Sequence, residues 1–260
     1  MNLSPELEKE LSKKTVIATI VGSSDTIRNQ FFRRFAAEAK QRGFDMAAVF
    51  QKRYDPDIRK HYELHGFHTY EEEVAGYGKA SRLAFKHARD LGEIVAFATS
   101  EKFNYVPQIP NTVLPVYVDR ADIVIPRRRS LSSYPAKQQL TEREGNEFYE
   151  QLTRLPFDAV WGTHTSNKKA VQVFLDYENA NFPSKIDKWD SIIVPIIDMP
   201  KAGIRMESVE VDYECPKEQR LAEDINPDSV AKRYEQLSMT TRAMLERHKQ
   251  LYPELHSRKR

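Results

Sequence analysis

Apolar runs and helical repeats alternate along the first part of the chain. Residues 15–21 form a β-branched apolar run that ends in the polar turn 22–25, and residues 26–42 repeat apolar side chains at helical spacing. A second apolar run covers residues 44–50. This order predicts a strand, a helix and a strand, which together form a βαβ unit with a buried parallel pair and a right-handed crossover.

A glycine-rich turn opens the next long helix of the predicted fold. Residues 54–70 are polar with aromatic side chains between them, which predicts one short helix. Gly76 and Gly78 then let the backbone bend into a helix, and residues 93–98 form a third apolar strand. Because the first amides of a helix have no intrahelical partner, this turn together with Lys79 predicts a phosphate site. An ordinary turn with a solvated lysine is the alternative.

The second half of the chain has shorter apolar segments and more prolines. Pro107, Pro110 and Pro115 interrupt the first of these segments, so a short or bent helix is predicted there. Strands are predicted at 122–126 and 204–213, a strand or turn at 157–161, and an apolar segment at 189–199. Helices are predicted at 140–155, from Asn167 to residue 177 and at 228–251. The sequence therefore predicts an α/β fold. Its sheet is Rossmann-like, mixed but mainly parallel, and flanked by helices in a single domain with a C-terminal helix.

The composition of the whole chain narrows the functional classes. With 260 residues, 40% of them hydrophobic, and a net charge of +2, the chain can bury a large core and lacks the lopsided charge of a nucleic-acid binder. Its single cysteine, Cys215, excludes an intrachain disulfide framework and a cysteine-based zinc cluster. No apolar run approaches the roughly 20 residues that span a bilayer. The charged first 14 residues lack the apolar core of a signal peptide, so we expect a cytoplasmic protein.

Three motifs in chain order resemble those of one enzyme family. Residues 78–85, Gly-Lys-Ala-Ser-Arg-Leu-Ala-Phe, match part of the pattern Gly-Lys-Gly-x-Ala-Leu-Arg-x-Gly without its second glycine. Asp158 and Gly162 align with the first and last residues of Asp-x-x-Ser-Gly, and Gly203 precedes a strand at 206–213 similar to Val-x-Glu-Val-Pro-Val-x-Tyr. In this order they resemble the GT-A fold of nucleotide-sugar glycosyltransferases, especially family 2 enzymes of the dolichyl-phosphate-mannose and glucosyl-phosphoglycerate synthase type.

The resemblance covers residues 15–220, which leaves an N-terminal extension at 1–14 and a C-terminal helix with a basic tail at 221–260. It implies transfer of a sugar from a nucleotide-diphosphate donor to a small or lipid-linked acceptor, with inversion. The basic tail leaves contact with an anionic membrane surface open. A homodimer through the final helix is one interpretation of its apolar face, and packing on its own domain is the other.

The central strand departs from the family pattern. The family ends this strand in Asp-x-Asp, whose carboxylates hold a divalent metal that bridges the diphosphate, whereas this chain has Thr-Ser-Glu-Lys at 99–102. A cofactor of Mg²⁺ or Mn²⁺ would have Glu101 as its one anionic ligand here. Lys102 offers the alternative of neutralising a phosphate charge without a metal.

Three residues are candidates for catalysis. Asp158 follows the apolar residues 155–157 and precedes Trp161, so we expect desolvation to raise its pKa and to suit it as the base that deprotonates the acceptor. A turn-forming aspartate is the alternative. His164 on the same segment shares the role or is structural, and Asp190 is a further candidate carboxylate or a helix cap.

The predicted substrate-binding residues lie at strand ends and in the glycine turn, and they are Gly22, Ser23, Asp25, Gly78, Lys79, Thr99, Ser100, Lys102, Arg127 and Arg128. Ser23 and Asp25 are expected to contact the base and ribose, with capping of the next helix as the alternative. The arginines either clamp a diphosphate or form a solvated basic loop, and we expect at least one to point inward.

Two other functions remain open. Loss of Asp-x-Asp is also compatible with a noncatalytic protein that retains a nucleotide or sugar ligand for regulation or scaffolding. A nucleotidyltransferase uses a related sheet, but its glycine-rich loop lies near the first strand, whereas the glycine turn here follows the second predicted strand.

Overall fold

The computed structural model describes residues 3–22, 26–52, 54–72, 76–177, 188–224 and 226–256. The first half contains α1 (Pro5–Lys14), β1 (Thr15–Val21), α2 (Thr26–Gln41), β2 (Asp45–Phe50), α3 (Pro56–Leu64), β3 (His68–Glu71), α4 (Tyr77–Leu91) and β4 (Ile94–Phe97). The second half contains α5 (Ile109–Tyr117), β5 (Ile123–Val124), β6 (Arg127–Arg128), α6 (Ala136–Thr153), β7 (His164–Asn167), α7 (Lys168–Leu175), α8 (Asp190–Ile193), α9 (Pro195–Asp198), β8 (Met206–Glu207), β9 (Glu210–Val211), α10 (Lys217–Asp224), α11 (Pro227–Leu251) and α12 (Pro253–His256). Short 3-10 turns cover Phe103–Gln108 and Ala159–Trp161.

The described strands form one large mixed sheet and one small sheet. The large sheet has seven strands in the order β3-β2-β1-β4-β7-β5-β8, and the small one pairs β6 with β9. Strands β3, β2, β1 and β4 run parallel to their neighbours, β7 runs antiparallel to β4 and β5, and β5 runs parallel to β8. The predicted mixed, mainly parallel sheet flanked by helices is confirmed.

Strand β1 lies at the centre of the core because both of its faces are apolar. All seven of its residues are buried. Ile17 packs in a cluster with Phe35 of α2, whereas Ala18 on the opposite face packs in a second cluster with Phe85 of α4. Helices therefore cover both faces of the parallel strands, which explains the continuous apolar run in the sequence.

Strand prediction was most accurate where both faces are buried. Strand β1 has the predicted bounds, and its parallel register with β2 confirms the βαβ unit. Strand β3 was missed because its residues are only partly buried and give no apolar alternation. The predicted strand at 204–213 is instead divided into β8 and β9, which belong to different sheets. The chain therefore changes sheet inside a segment whose alternation is continuous in the sequence.

Helix α1 packs against the sheet core, whereas α11 packs on other helices of the domain. Leu11 of α1 is fully buried in the same cluster as Ile17, and α11 packs along α6, α8 and α9. The apolar face of the final helix thus packs on its own domain, which was the second of the two interpretations. The domain boundaries at 15 and 220 stay a prediction. In the part of the chain that the structure describes, no helix has the length and apolar character needed to cross a membrane.

Candidate functional site

The parallel strands end together at one edge of the sheet, where Glu72 joins the segment after β2 to the segment between β3 and α4. Its buried carboxylate accepts hydrogen bonds from the Lys52 amide at 3.0 Å, Gln51 Nε2 at 3.4 Å and the Gly76 amide at 3.4 Å. Because Gly76 precedes α4, Glu72 fixes the start of this helix against the end of β2. The carboxyl edge of parallel strands is where α/β proteins bind nucleotides.

The start of α4 has the backbone features that the sequence predicts. Gly76 has a φ of +153°, a value that favours glycine, and no side chain caps the helix. Gly78 is buried in the first turn and Lys79 is exposed. Gly22 ends β1 at the same edge, whereas the predicted contacts Ser23 and Asp25 lie outside the described residues.

Two buried hydroxyl residues follow the end of β4, and one of them ties it to β1. Ser100 Oγ donates to the carbonyl of Ile20 at 3.0 Å and lies 2.9 Å from Thr19 Oγ1, so it joins β4 to β1. Thr99 is also buried. Their roles as substrate contacts stay a prediction. Glu101 and Lys102 are the residues of this segment that line a cavity.

The Lys102 ammonium joins the end of β4 to the segment before β7. Its Nζ donates to the carbonyl of Trp161 at 2.7 Å and to Thr163 Oγ1 at 3.0 Å, and it lies 5.0 Å from the centre of the Trp161 ring. Burial lowers the pKa of Lys102 to about 8, although Glu101 opposes this shift. The side chain therefore remains mostly charged at neutral pH.

Arg128 lies at the centre of a buried ionic cluster. Its side chain is fully buried, and its Nε and Nη2 each donate to a different oxygen of Asp158 at 2.7 Å. Its Nη1 pairs with Glu142, and Asn146 Nδ2 donates to Asp158 Oδ1 at 2.7 Å. Burial alone would lower the pKa of Arg128, but the two carboxylates outweigh it and hold that pKa well above the ordinary value. The cation is therefore matched by two anions.

This cluster corrects one prediction for Asp158 and distinguishes the two arginines. Burial pushes the pKa of Asp158 up, as the sequence suggested, but the charge and hydrogen bonds of Arg128 hold it below the usual range. The expected rise in pKa is therefore wrong. Its role as base stays a prediction, although both carboxylate oxygens are engaged. Of the arginines, Arg128 points inward as expected, whereas Arg127 is exposed and pairs with Glu210 at 2.6 Å.

Neither of the other two catalytic candidates lines the cavity that Glu101 and Lys102 line. His164 is fully buried, with its ring centre 4.3 Å from that of Phe174 and 5.4 Å from that of Phe85, and burial lowers its pKa to about 3. Asp190 is buried at the start of α8, where it accepts hydrogen bonds from the Lys188 amide at 2.7 Å and from the Tyr177 hydroxyl at 3.0 Å. The structural alternative explains the packing of His164, whereas Asp190 accepts from an amide before α8 and does not cap the helix. Both catalytic roles stay predictions.

A cavity of about 90 Å³ lies next to the end of β4. Glu101 and Lys102 line it together with residues of α6, α10 and α11. Its aromatic walls are Tyr134, Trp161, Trp189 and Tyr213, and its polar walls include Gln138, Glu142, Gln219 and Arg233. The contributions of α6, α10 and α11 to this cavity were not predicted from the sequence. Their residues are up to about 140 positions from Glu101, and a charged amphipathic helix carries no local signal that it lines a cavity.

The residues at the end of β4 do not fit a divalent metal. Hard divalent cations are held by several oxygen ligands, whereas Glu101 is the one carboxylate of residues 99–102 and its neighbour Lys102 carries a buried positive charge. Over the described ranges, no three His, Cys, Asp or Glu side chains converge as a metal site. The assignment of Glu101 as a metal ligand therefore has no support from the described donor set.

The fold is shared with solved glycosyltransferases. No protein-family model matches the chain, and no curated protein matches its sequence. Glucosyl-3-phosphoglycerate synthase of Mycobacterium tuberculosis matches with a TM-score of 0.61 and 14% identity, over 95% of this chain and 85% of that chain. Its complex with Mn²⁺ and UDP-glucose gives a TM-score of 0.64 at 13% identity, over 95% and 84% of the two chains. Mannosyl-3-phosphoglycerate synthase from Rubrobacter xylanophilus gives 0.56 at 16% identity, over 89% and 77%. At these sequence identities the structural similarity establishes the fold alone. This chain has the GT-A fold, as the resemblance of its motifs implied.

Proposed function

We propose that this chain is a glycosyltransferase that moves a sugar from a nucleotide-diphosphate donor to a small acceptor. The observation that carries the proposal is the cavity at the end of β4, next to the carboxyl edge of the parallel strands in a GT-A fold. One similar structure holds UDP-glucose and phosphoglyceric acid together with Mn²⁺. A cavity of about 90 Å³ suits a small acceptor better than a lipid-linked one.

In this proposal the nucleotide lies along the strand edge. Gly22 and the turn with Ser23 and Asp25 contact the base and ribose, and the first turn of α4 with Gly78 and Lys79 faces the diphosphate. Helix starts attract phosphate because their amides are unpaired and the helix dipole is positive there. The exposed Lys79 adds a charge at this point.

The proposed chemistry relies on charged side chains of the chain itself. Lys102 supplies positive charge near the departing diphosphate. Thr99 and Ser100, which precede it in the chain, form part of the proposed substrate-binding surface. Glu101 lines the cavity, whereas both oxygens of Asp158 are held by Arg128, so we propose Glu101 as the base and keep Asp158 as the alternative. Arg128 then orients Asp158 and supports the cavity wall.

The base assignment is tested by Glu101→Gln and Asp158→Asn. Loss of a general base lowers kcat by about 10²–10⁴-fold. We expect this loss in Glu101→Gln with the melting temperature unchanged, and a lower melting temperature in Asp158→Asn because its partner Arg128 is buried. Full turnover in Glu101→Gln would remove Glu101 as the base.

The function itself is tested by screening donors. The purified protein is heated with UDP-, GDP-, ADP- and CMP-sugars, each with Mn²⁺ or with EDTA, because a ligand of the native state raises the melting temperature. Release of the nucleotide is then measured with candidate acceptors, and NMR of the product separates inversion, which the family 2 resemblance implies, from retention. The proposal predicts binding and turnover in EDTA, and absence of a shift with any donor contradicts it.

One observation favours a second candidate function, a noncatalytic nucleotide or sugar binder. The end of β4 has no paired carboxylates, and the charge of the nearby Arg128 is already matched by Asp158 and Glu142. Both features are also expected of a site that binds a ligand without catalysis. A donor that raises the melting temperature but is never cleaved, with any acceptor and with or without metal, would establish this candidate.

A further inference from the structure

Two glutamines of the cavity have amide oxygens left for a ligand. Gln138 is buried, and its Nε2 donates to Glu142 Oε1 at 2.6 Å, whereas Gln219 Nε2 donates to Glu223 Oε1 at 3.0 Å. Because a carboxylate can only accept, these bonds fix which end of each amide is the nitrogen. The two Oε1 atoms are buried without a hydrogen-bond partner among the residues that the structure describes. Both side chains line the cavity, so a hydrogen-bond donor bound there is the group that would satisfy these oxygens.

The cations around the cavity already have partners. Arg128 is paired with Asp158 and Glu142, and Arg233 donates to Glu223 at 2.8 Å. Lys102 is held by the Trp161 carbonyl. An anionic ligand inside the cavity would have to displace the carboxylate partners of the two arginines and would meet Glu101 and Glu142 in the same walls. The charge pattern therefore favours a neutral ligand.

The aromatic walls point to the same class of ligand. Lys102 Nζ and Arg128 Cζ each lie 5.0 Å from the Trp161 ring centre, so an added cation would approach two cations already placed on this ring. The cavity of about 90 Å³ is smaller than the roughly 150 Å³ cavity that holds a benzene molecule, so it favours a small ligand. Aromatic faces also pack well against aliphatic C–H groups.

We propose that this cavity binds a small neutral polyol, whose hydroxyl groups donate to Gln138 Oε1 and Gln219 Oε1 while its carbon chain packs against Trp161. The assignment of this polyol as the glycosyl acceptor rests on the proposed function. The binding site itself does not.

The test uses glycerol and erythritol as neutral probes and 3-phosphoglycerate as the anionic one, with dissociation constants from ligand-observed NMR on the full chain. Each neutral probe is expected to bind more tightly than 3-phosphoglycerate. Gln138→Leu and Gln219→Leu each remove one acceptor oxygen, and we expect each to weaken glycerol binding about tenfold. Gln151→Leu, an exposed position on α6, is the matched control and is expected to leave binding unchanged.

Three outcomes overturn the proposal. Glycerol and erythritol show no binding to a protein that still binds a nucleotide-sugar, 3-phosphoglycerate binds more tightly than either, or the two cavity variants bind glycerol like Gln151→Leu while melting at the temperature of the unmodified chain. Gln219→Leu keeps the test informative if Gln138→Leu fails to fold, because Gln219 is less buried. Polyol binding without cleavage of any donor supports the site and contradicts only the glycosyl transfer.

Discussion

The two faces of the sheet treat their buried polar groups differently. On one face, Arg128 is charged and lies against Trp161 and Tyr134, and two carboxylates match it. On the other face, His164 is neutral and stacks on Phe174. A cavity with unpartnered amide oxygens lies beside the first group, whereas the second is enclosed in apolar packing. The comparison indicates that residue type alone does not identify a site, because the environment decides whether a buried polar group is charged and reachable.

The largest expected effect comes from removing the charge on the first face. Arg128→Met leaves the buried Asp158 and the partly buried Glu142 without their counter-ion, and breaking a buried ion pair costs about 3–5 kcal/mol of unfolding free energy. Arg127→Met next to it is the matched control, because Arg127 forms an exposed pair worth less than about 1 kcal/mol. Urea unfolding of the two variants measures the difference. Equal losses in both would show that the cluster is not the stabilising unit inferred here.

A smaller effect is expected on the second face, and it depends on pH. The pKa of His164 is about 3 in the folded chain and near its ordinary 6.5 in the unfolded chain, so the unfolded state takes up a proton as the pH falls through 6.5 and the folded state does not. The contribution of His164 to the unfolding free energy is complete above pH 6.5 and is lost progressively as the pH falls toward 3. Between pH 7 and 5 the loss is about 2 kcal/mol.

His164→Phe removes this proton linkage and keeps an aromatic ring against Phe174. When the pH is lowered from 7 to 5, the unfolding free energy of both proteins is expected to decrease. We expect the decrease in His164→Phe to be about 2 kcal/mol smaller than in the unmodified chain. Denaturant titrations at both pH values measure this. Parallel pH profiles of the two proteins would mean that His164 is protonated in the folded state, and the contrast with Arg128 would then be lost.

The limits of sequence prediction follow from the same comparison. Strands β1, β2 and β4 are nearly continuous apolar runs because they are buried on both faces, so local pattern is enough to find them. The sequence predicted that at least one of the arginines points inward, and Arg128 does. Which one it is depends on the pairing of β6 with β9, where Arg127 lies opposite Glu210 and Arg128 opposite Val211.

The site was less predictable than the fold. Neighbouring strand residues point to opposite faces, so the register decides which of two identical side chains is buried. Gln138 and Gln219 were missed because a cavity wall made by separate helices leaves no spacing in the sequence. Conversely, the chemistry of His164 and Asp190 made them candidates, but in the structure His164 stacks on Phe174 and Asp190 holds the Lys188 amide and the Tyr177 hydroxyl.

The smallest expected effect concerns Lys102, which extends the charged face to the end of β4. Its pKa is about 8 when folded and near 10.5 when unfolded, so between these values the unfolded state binds more protons and stability rises with pH. From pH 8 to 9 the gain is about 1 kcal/mol. Lys102→Met lacks this gain, whereas the exposed Lys137→Met on α6 retains it, and thermal unfolding at the two pH values separates them. If Lys102→Met gains as much as the control, then Lys102 is not desolvated, and the positive charge proposed for the diphosphate would be screened by water.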